Sequence, residues 1–256
     1  MTAALLLAAA FACPEDQKLQ LDLKEWKSAI VAAQPGSDEQ HFALAALRLQ
    51  SVPGDNTPDA DCADKPVIEG VDIFNANLTG QNDKLVQARF RACKGDKENE
   101  TQAVRIAVVV PLANGQLCKL EGVDLSLDQR ASDKPCENAA KLPRTLDFLE
   151  LTQKGRKVVQ TKDQSGSCED PAGNTSAVKT AIFEAQGAAL KKIFETKLYD
   201  STTQAQGRQL VARWKLTLGK TVPKEITVQR CIEGASQCED PDVYEYARAG
   251  GKYVHK

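Results

Sequence analysis

The sequence predicts a mainly β protein built from repeated antiparallel strand-turn-strand units, arranged either as a propeller-like body or as an open sandwich or meander. Three observations support this fold class. β-Branched and aromatic residues recur in short runs that polar turns separate. The stretch Leu149–Thr161 combines a short strand, a polar turn at Gly155 and a β-branched strand. The same pattern recurs more weakly at 77–88 and at 215–229.

The composition is that of an ordinary globular protein. The chain has 256 residues, of which 42% are hydrophobic and 27% charged, so it has room for one large β domain or two small ones. Only 5% of the residues are aromatic, so the core must rest on Leu, Val, Ile and Ala. The net charge of −2 argues against a nucleic-acid partner.

The N-terminus predicts export. Met1–Ala12 is an apolar run that ends in small residues, as the hydrophobic part of a secretory signal does. Because Ala12 precedes Cys13, the segment resembles a bacterial lipoprotein signal, which implies a lipid on Cys13 and anchoring in a membrane. We therefore expect a signal peptide at 1–12 and a polar tether at 13–18. An ordinary secretory signal and a buried structural helix are the alternatives.

The remaining chain, 19–256, is expected to form a single β-rich domain. Its first segment is ambiguous, because Leu19, Leu23, Trp26 and Ile30 share a helical face while 19–23 also alternates like a strand. A short helix is therefore allowed near 19–33. The apolar run 41–52 is predicted to be a strand, although its Ala and Leu content also permits a helix. The Pro- and Asp-rich segment 53–66 is predicted to be a loop.

Strand signals become regular after residue 66. Strands are predicted at 67–78, 84–93 and 101–112, and the hairpin turn Asn114-Gly115 leads into 116–120. The run 104–110 is almost continuously apolar, which is typical of a strand buried on both faces. The polar segment 124–143 is predicted to be an insertion without strands.

The second half continues in strand pairs. A Gly-, Ser- and Asp-rich loop is predicted at 163–176. The segment 177–200 reads either as a helix or as two strands, and Gly187 favours the hairpin because it interrupts the run. Further strands are predicted at 209–218, 225–232, 244–246 and 253–255.

The repeated units also resemble a known family. Aligning them places Leu78, Leu151 and Leu216 in register, and Asn77–Ala88 resembles a degenerate FG-GAP or VCBS-type repeat. That resemblance implies four-stranded propeller blades with an Asp- and Asn-rich calcium loop before a strand. The turn at 153–157 is basic, and the segment 77–83 retains only Asp83, so we expect no calcium and no other cofactor.

The eight cysteines predict disulfides. No two of them have the close spacing of a zinc site, and the chain has only two histidines. Disulfides in a protein of this size indicate an oxidising compartment. The pairs we expect are Cys62–Cys93, Cys118–Cys136 and Cys231–Cys238. With Cys13 lipidated, Cys168 would remain unpaired.

The sequence contains no recognisable catalytic constellation. His41 and His255 lack a neighbouring Ser, Cys or Asp pattern, and no Gly-x-Ser-x-Gly occurs. The motif Cys-Glu-Asp-Pro occurs at 168–171 and 238–241, and we interpret both copies as loop turns.

These features predict a non-enzymatic lipoprotein of the bacterial cell envelope that binds a protein or glycan partner or has a structural role. Its location would be the periplasm or the outer membrane, and a secreted form is the alternative. The competing hypothesis is a secreted hydrolase or carbohydrate-active module that uses loop acids such as Glu169 and Asp170.

Overall fold

A computed structural model describes residues 11–35, 37–49, 67–92, 101–130, 145–167, 175–203 and 209–256. The protein is mainly β, as predicted, and its strands form two antiparallel sheets. The helices are α1 (Leu23–Ala32) and α2 (Asp38–Ala46). The strands are β1 (Lys18–Leu19), β2 (Val67–Asn75), β3 (Lys84–Ala92), β4 (Thr101–Pro111), β5 (Leu117–Lys119), β6 (Leu127–Arg130), β7 (Thr145–Glu150), β8 (Lys157–Ser167), β9 (Thr175–Gln186), β10 (Ala189–Thr203), β11 (Gln209–Leu218), β12 (Ile226–Ile232), β13 (Asp242–Ala247) and β14 (Lys252–His255).

The two α-helices follow β1 and precede the other strands. The Asp22 side chain accepts hydrogen bonds from two amides in the first turn of α1, those of Lys24 and Glu25, so the helix begins there. Trp26 and Ile30 are buried one turn apart, as the helical reading of this segment requires. The strand predicted at 41–52 is wrong, because α2 covers 38–46. Ser37 caps that helix and its Ala and Leu residues favour helix over strand.

The first sheet has the strand order β1-β5-β4-β3-β2, and β6 pairs with residues 101–104 of β4. The strand β4 is buried on both faces, as its apolar run predicts. Val109 packs toward the helices and Val108 packs toward the second sheet. The strand β6 differs from the prediction, because 127–130 lies in a segment that is polar by composition. Among the described strands it pairs with β4 alone.

The second sheet is a meander of eight strands in the order β14-β13-β12-β11-β10-β9-β8-β7. The meander predicted as an alternative is therefore observed, and the described strands do not group into four-stranded blades. The predicted hairpin at 177–200 is confirmed, since β9 and β10 pair around Gly187, whose φ is 63°. The predicted loop at 163–176 is shorter in the structure, because β8 continues to Ser167 and β9 begins at Thr175.

The layers are stacked around three apolar clusters. Trp26, Ile30 and Leu47 of the helical segment cover one face of the first sheet. The other face, which includes Ile106 and Val108, packs on β8–β10 through Val159, Ala185 and Leu190. The second sheet then curls, so that its last strands cover the remaining face of its first strands. This third cluster contains Leu151, Ile182, Phe194, Ile226 and Tyr253.

Three hairpin turns meet at one end of the molecule. The turn after β2 joins the turn after β7, because the amide of Lys157 donates to the carbonyl of Asn77 over 2.8 Å. The turn after β7 joins the turn after β11, because the amide of Lys224 donates to the carbonyl of Leu151 over 2.8 Å. These turns belong to the three similar stretches 77–88, 149–161 and 215–229. The leucine register itself fails, since Leu216 lies inside β11.

The turn after β2 is closed by its own carboxylate. Asp83 is fully buried, and its oxygens accept hydrogen bonds from the amides of Leu78 and Thr79 over 2.8 and 3.0 Å. The hydroxyl of Thr79 donates a third hydrogen bond over 2.7 Å. A carboxylate can replace missing strand partners in this way, because it accepts several backbone N–H groups at once. Asp83 therefore shapes the turn.

Candidate functional site

A polar cluster surrounds Glu184 on β9, at the end of the molecule where the turns meet. The hydroxyl of Thr152 donates to Oε1 of Glu184. Its Oε2 accepts from the hydroxyl of Tyr246 over 2.5 Å and from the amide of Gln186 over 3.2 Å. Gln186 also donates to the carbonyl of Gly251 over 2.8 Å. We call Thr152, Glu184, Gln186 and Tyr246 the Glu184 cluster.

The tyrosines beside this cluster hold their protons strongly. Burial, the hydrogen bond to Glu184 and the charge of that carboxylate raise the pKa of Tyr246. Burial and the charge of Glu184 also raise the pKa of Tyr253, whose hydroxyl donates to the carbonyl of Lys224 over 2.7 Å. Both phenols are therefore neutral hydrogen-bond donors at ordinary pH. A general base needs an acceptor oxygen within reach of a substrate proton, whereas both oxygens of Glu184 already accept hydrogen bonds from the fold.

Gly251 shows how closely the hairpin β13–β14 approaches β9. Its φ is 59°, in the left-handed region that favours glycine. A Cβ atom there would lie 2.5 Å from Nε2 of Gln186, which is closer than side chains tolerate. The turn thus favours glycine, and any side chain there would also have to displace the end of Gln186. The sequence gives no signal for this cluster, because its members are brought together by the curl of the sheet.

A cleft lies between the end of α2, β5 and the loop that follows β5. Its volume is about 230 Å³. Its lining combines apolar side chains with polar and charged ones: Arg48, Leu49, Ile106, Val108, Lys119, Leu120, Glu121, Val123, Asp124, Leu125, Ser126 and Leu190. The Lys119 ammonium donates to the carbonyl of Arg48 over 2.6 Å and lies 3.6 Å from the carboxylate of Glu121. These contacts join α2 to β5 at the cleft.

The N-terminal segment packs beside this cleft. Cys13 forms a disulfide with Cys118 of β5, with the two Cα atoms 5.8 Å apart. The strand β1 places Lys18 opposite Cys118, and the Arg48 guanidinium donates to the carbonyl of Asp16. Residues 13–18, predicted to be a free tether, are therefore docked on the body. The strand pairing, which composition alone does not reveal, explains the difference.

The observed disulfides correct one predicted pair and confirm another. Cys118 bonds to Cys13 and not to Cys136, because β1 brings the N-terminal segment against β5. Cys231 and Cys238 form the predicted bond across a short loop. The predicted pair Cys62–Cys93 and the unpaired Cys168 lie outside the described residues, as does Cys136. The lipid predicted on Cys13 stays a prediction, and it would use the sulfur that the structure gives to Cys118.

The structure describes only part of the acids of the competing hydrolase hypothesis. Glu169 and Asp170 lie outside the described residues, as does the side chain of His41. In the second Cys-Glu-Asp-Pro copy, Glu239 pairs with Arg230 over 2.5 Å. Asp242, which follows that copy, lies 3.1 Å from His255. In the ranges that the structure covers, no group of three His, Cys, Asp or Glu side chains is arranged to hold a metal ion.

Comparisons with known proteins identify no relative. No family model, curated protein or solved structure matches the chain. Within the described residues, neither helix has the length and apolar character needed to cross a membrane.

Proposed function

We propose that the protein is an exported, disulfide-stabilised and non-enzymatic module of the bacterial cell envelope, which binds or supports a protein or glycan partner. The observation that carries the proposal is the pair of disulfides Cys13–Cys118 and Cys231–Cys238. Disulfides persist in oxidising compartments and are rare in the cytosol. The Cys13–Cys118 bond lies against the core, since Cys118 is fully buried.

The Glu184 cluster supports a role without catalysis. Its carboxylate oxygens accept hydrogen bonds from Thr152, Gln186 and Tyr246, so the cluster holds strands together. Tyr246 and Tyr253 have raised pKa values, chiefly through burial, which keeps them protonated. A nucleophile or base would instead need a lowered pKa or an accessible acceptor.

The cleft beside β5 is the surface that we assign to the partner. Small-molecule sites usually have volumes of roughly 300–1,000 Å³, whereas this cleft has about 230 Å³. Its size suits one side chain or one sugar unit of a larger partner better than a free substrate. Lys119 and Glu121 place charges of both signs at the cleft, where hydrogen bonds to a polar partner are available.

Cell fractionation tests the export step. The full-length chain is expressed in a Gram-negative bacterium, and periplasmic, membrane and cytosolic fractions are compared with marker proteins. The proposal predicts the chain in the periplasmic or membrane fraction, with Cys231 and Cys238 oxidised. A cytosolic chain with reduced thiols would contradict it.

A charge reversal tests the cleft. Glu121→Arg changes the charge at the cleft, and Thr217→Arg adds the same side chain at an exposed position of β11. Binding to isolated cell-wall glycan and to envelope proteins is measured by co-sedimentation and by cross-linking. We expect Glu121→Arg to reduce binding at least fivefold and Thr217→Arg to leave it within twofold. Equal binding by both variants would exclude the cleft.

A further inference from the structure

The docked N-terminal segment bears directly on the fate of Cys13. We call residues 13–19 the strap. The strap is held by the Cys13–Cys118 bond and by the pairing of Lys18 and Leu19 with Cys118 and Leu117. Leu19 is 5% exposed and packs in the core between the helices and the first sheet. The strap is thus a part of the fold.

Further contacts fix the strap between the two sheets. With its amide nitrogen turned toward them, Gln17 donates to the carbonyls of Lys119 and Ala188 over 3.2 and 3.0 Å. The Arg48 guanidinium donates to the carbonyls of Asp16 and Lys18. Arg48 and Lys119 also line the cleft, so the strap positions two of its lining residues.

The sulfur of Cys13 has two mutually exclusive fates. Lipid transfer forms a thioether C–S bond at that sulfur while the C–O bond between the diacylglyceryl group and its lipid phosphate breaks. The thiol proton leaves with the phosphate, and no thiol remains for Cys118. Disulfide formation instead joins the two sulfurs, and both thiols lose their protons. The two electrons pass to a protein disulfide of the oxidising compartment, which becomes a dithiol. Only the second fate is compatible with the docked strap.

The surroundings of Cys13 and the cysteine count favour the disulfide. Cys13 packs against the cluster between the two sheets, and Cys118 is fully buried. A diacylglyceryl group on that sulfur would have to take the place of its bond to the buried Cys118. With Cys13 in the disulfide set, all eight cysteines can pair, whereas a lipidated Cys13 leaves seven. The small residues Ala10 and Ala12 also satisfy the small-x-small pattern of a cut that needs no lipid.

We propose that in the exported protein Cys13 is the mature N-terminal residue, carries no lipid, and is bonded through its sulfur to Cys118. The proposal rests on export, which is part of the proposed function. It assigns to Cys13 an internal role, which is to fix the strap beside the cleft. The protein would then be released in its compartment and not anchored through this residue.

Peptide mapping tests the assignment. The full-length chain is exported in a Gram-negative bacterium, alkylated in denaturant without reductant, digested with trypsin and analysed by mass spectrometry. We expect Cys13–Lys18, with a free N-terminal amine, linked to Ile106–Lys119. A diacylglyceryl group on Cys13, or Cys118 linked elsewhere, would overturn the inference and leave export intact. Reduced cysteines in a cytosolic chain would overturn both proposals.

A second measurement follows the strap itself. In Cys118→Ser we expect Cys13 to become reactive toward a maleimide, and amide hydrogen exchange at Leu19 and Leu117 to speed up at least tenfold. Cys231→Ser serves as the matched control, because it breaks the other disulfide, and it should leave those amides unchanged. Unchanged exchange in Cys118→Ser, with Cys13 still unreactive, would show that the bond does not hold the strap.

Discussion

The hydroxyl of Tyr246 donates a hydrogen bond to the carboxylate of Glu184 across three intervening strands of one sheet. Tyr246 lies on β13 and Glu184 on β9, so the contact forms only because the meander curls back on itself. The amide of Lys224 bonds to the carbonyl of Leu151 in the same region, which joins the hairpin turns of the opposed strands. The curled sheet is thus held by the Tyr246–Glu184 hydrogen bond at the end where the turns meet, which we call the latch, and by the apolar cluster inside the curl.

The first prediction concerns this latch. Tyr246→Phe should lower the free energy of unfolding by about 1.5–3 kcal/mol, because the hydrogen bond has a charged acceptor and the carboxylate loses a donor. In a Glu184→Gln background the same change should cost less than about 1 kcal/mol. Urea unfolding of the four proteins gives the coupling energy.

Tyr199→Phe is the matched control for the latch. The Tyr199 ring is also buried in the second sheet, where the Arg213 guanidinium lies over it at 5.3 Å. We expect this change to cost less than about 1 kcal/mol in both backgrounds. If the losses from Tyr246→Phe and Glu184→Gln simply add, the two groups do not act as a pair.

The second prediction concerns alkaline pH. Burial and the neighbouring carboxylate raise the pKa of Tyr246 above its unfolded value of about 10. A raised pKa means that the folded state keeps the proton that the unfolded state loses. The stabilisation is therefore present below pH of about 10 and falls as the pH rises further.

Tyr246→Phe should flatten this loss. Stability measured by urea unfolding between pH of about 10 and 11 should fall less steeply in the variant, by up to about 1.4 kcal/mol per pH unit. At pH of about 8 the variant should show only the constant deficit of the missing hydrogen bond. Parallel curves for both proteins across this range would contradict the assignment.

The third prediction compares the two disulfides. The Cys13–Cys118 bond spans a sequence separation of 105 and the Cys231–Cys238 bond one of 7. In the chain-entropy model these loops correspond to about 4.7 and about 2.5 kcal/mol. Replacing both cysteines of a pair by serine should therefore cost about 2 kcal/mol more for the first pair, as measured by urea unfolding. Equal losses would show that the long loop is not closed in the folded protein.

The fourth prediction concerns the buried turn. Asp83→Asn should lower the free energy of unfolding by about 1–3 kcal/mol. The new side-chain NH2 group would face a backbone N–H group that now donates to a carboxylate oxygen. Asp147→Asn is the control, since Asp147 forms a half-exposed ion pair with Lys162 and its loss should lower the free energy of unfolding by less than about 1 kcal/mol.

Adding millimolar calcium should leave the thermal midpoint of the wild-type protein unchanged. A calcium-dependent rise that Asp83→Asn abolishes would show that the turn binds the ion.

Local patterns in the sequence were sufficient to predict most of the strands. The run 104–110, the turn at Gly115 and the break at Gly187 each act over a few residues, and β4, β5 and the hairpin β9–β10 follow from them. The helix α2 was missed because its apolar residues also suit a strand, and the cap at Ser37 decides between them.

The long-range contacts were not predictable in the same way. Cys13 and Cys118 meet because the two-residue strand β1 adds to the edge of the first sheet. A strand this short has no recognisable alternation of polar and apolar residues. Glu184 shares a strand face with the buried Ile182, and Tyr246 shares one with Tyr244, but only the curl of the sheet turns these two faces toward each other. Topology therefore determines both the disulfide and the latch.

Oxidation of the described cysteines in the exported protein tests the central claim most directly. The chain is recovered from the envelope fraction, denatured, alkylated with iodoacetamide before and after reduction, and mapped by mass spectrometry. The account predicts that Cys13, Cys118, Cys231 and Cys238 are alkylated only after reduction. Alkylation of these four residues without reductant would contradict an exported, disulfide-stabilised protein.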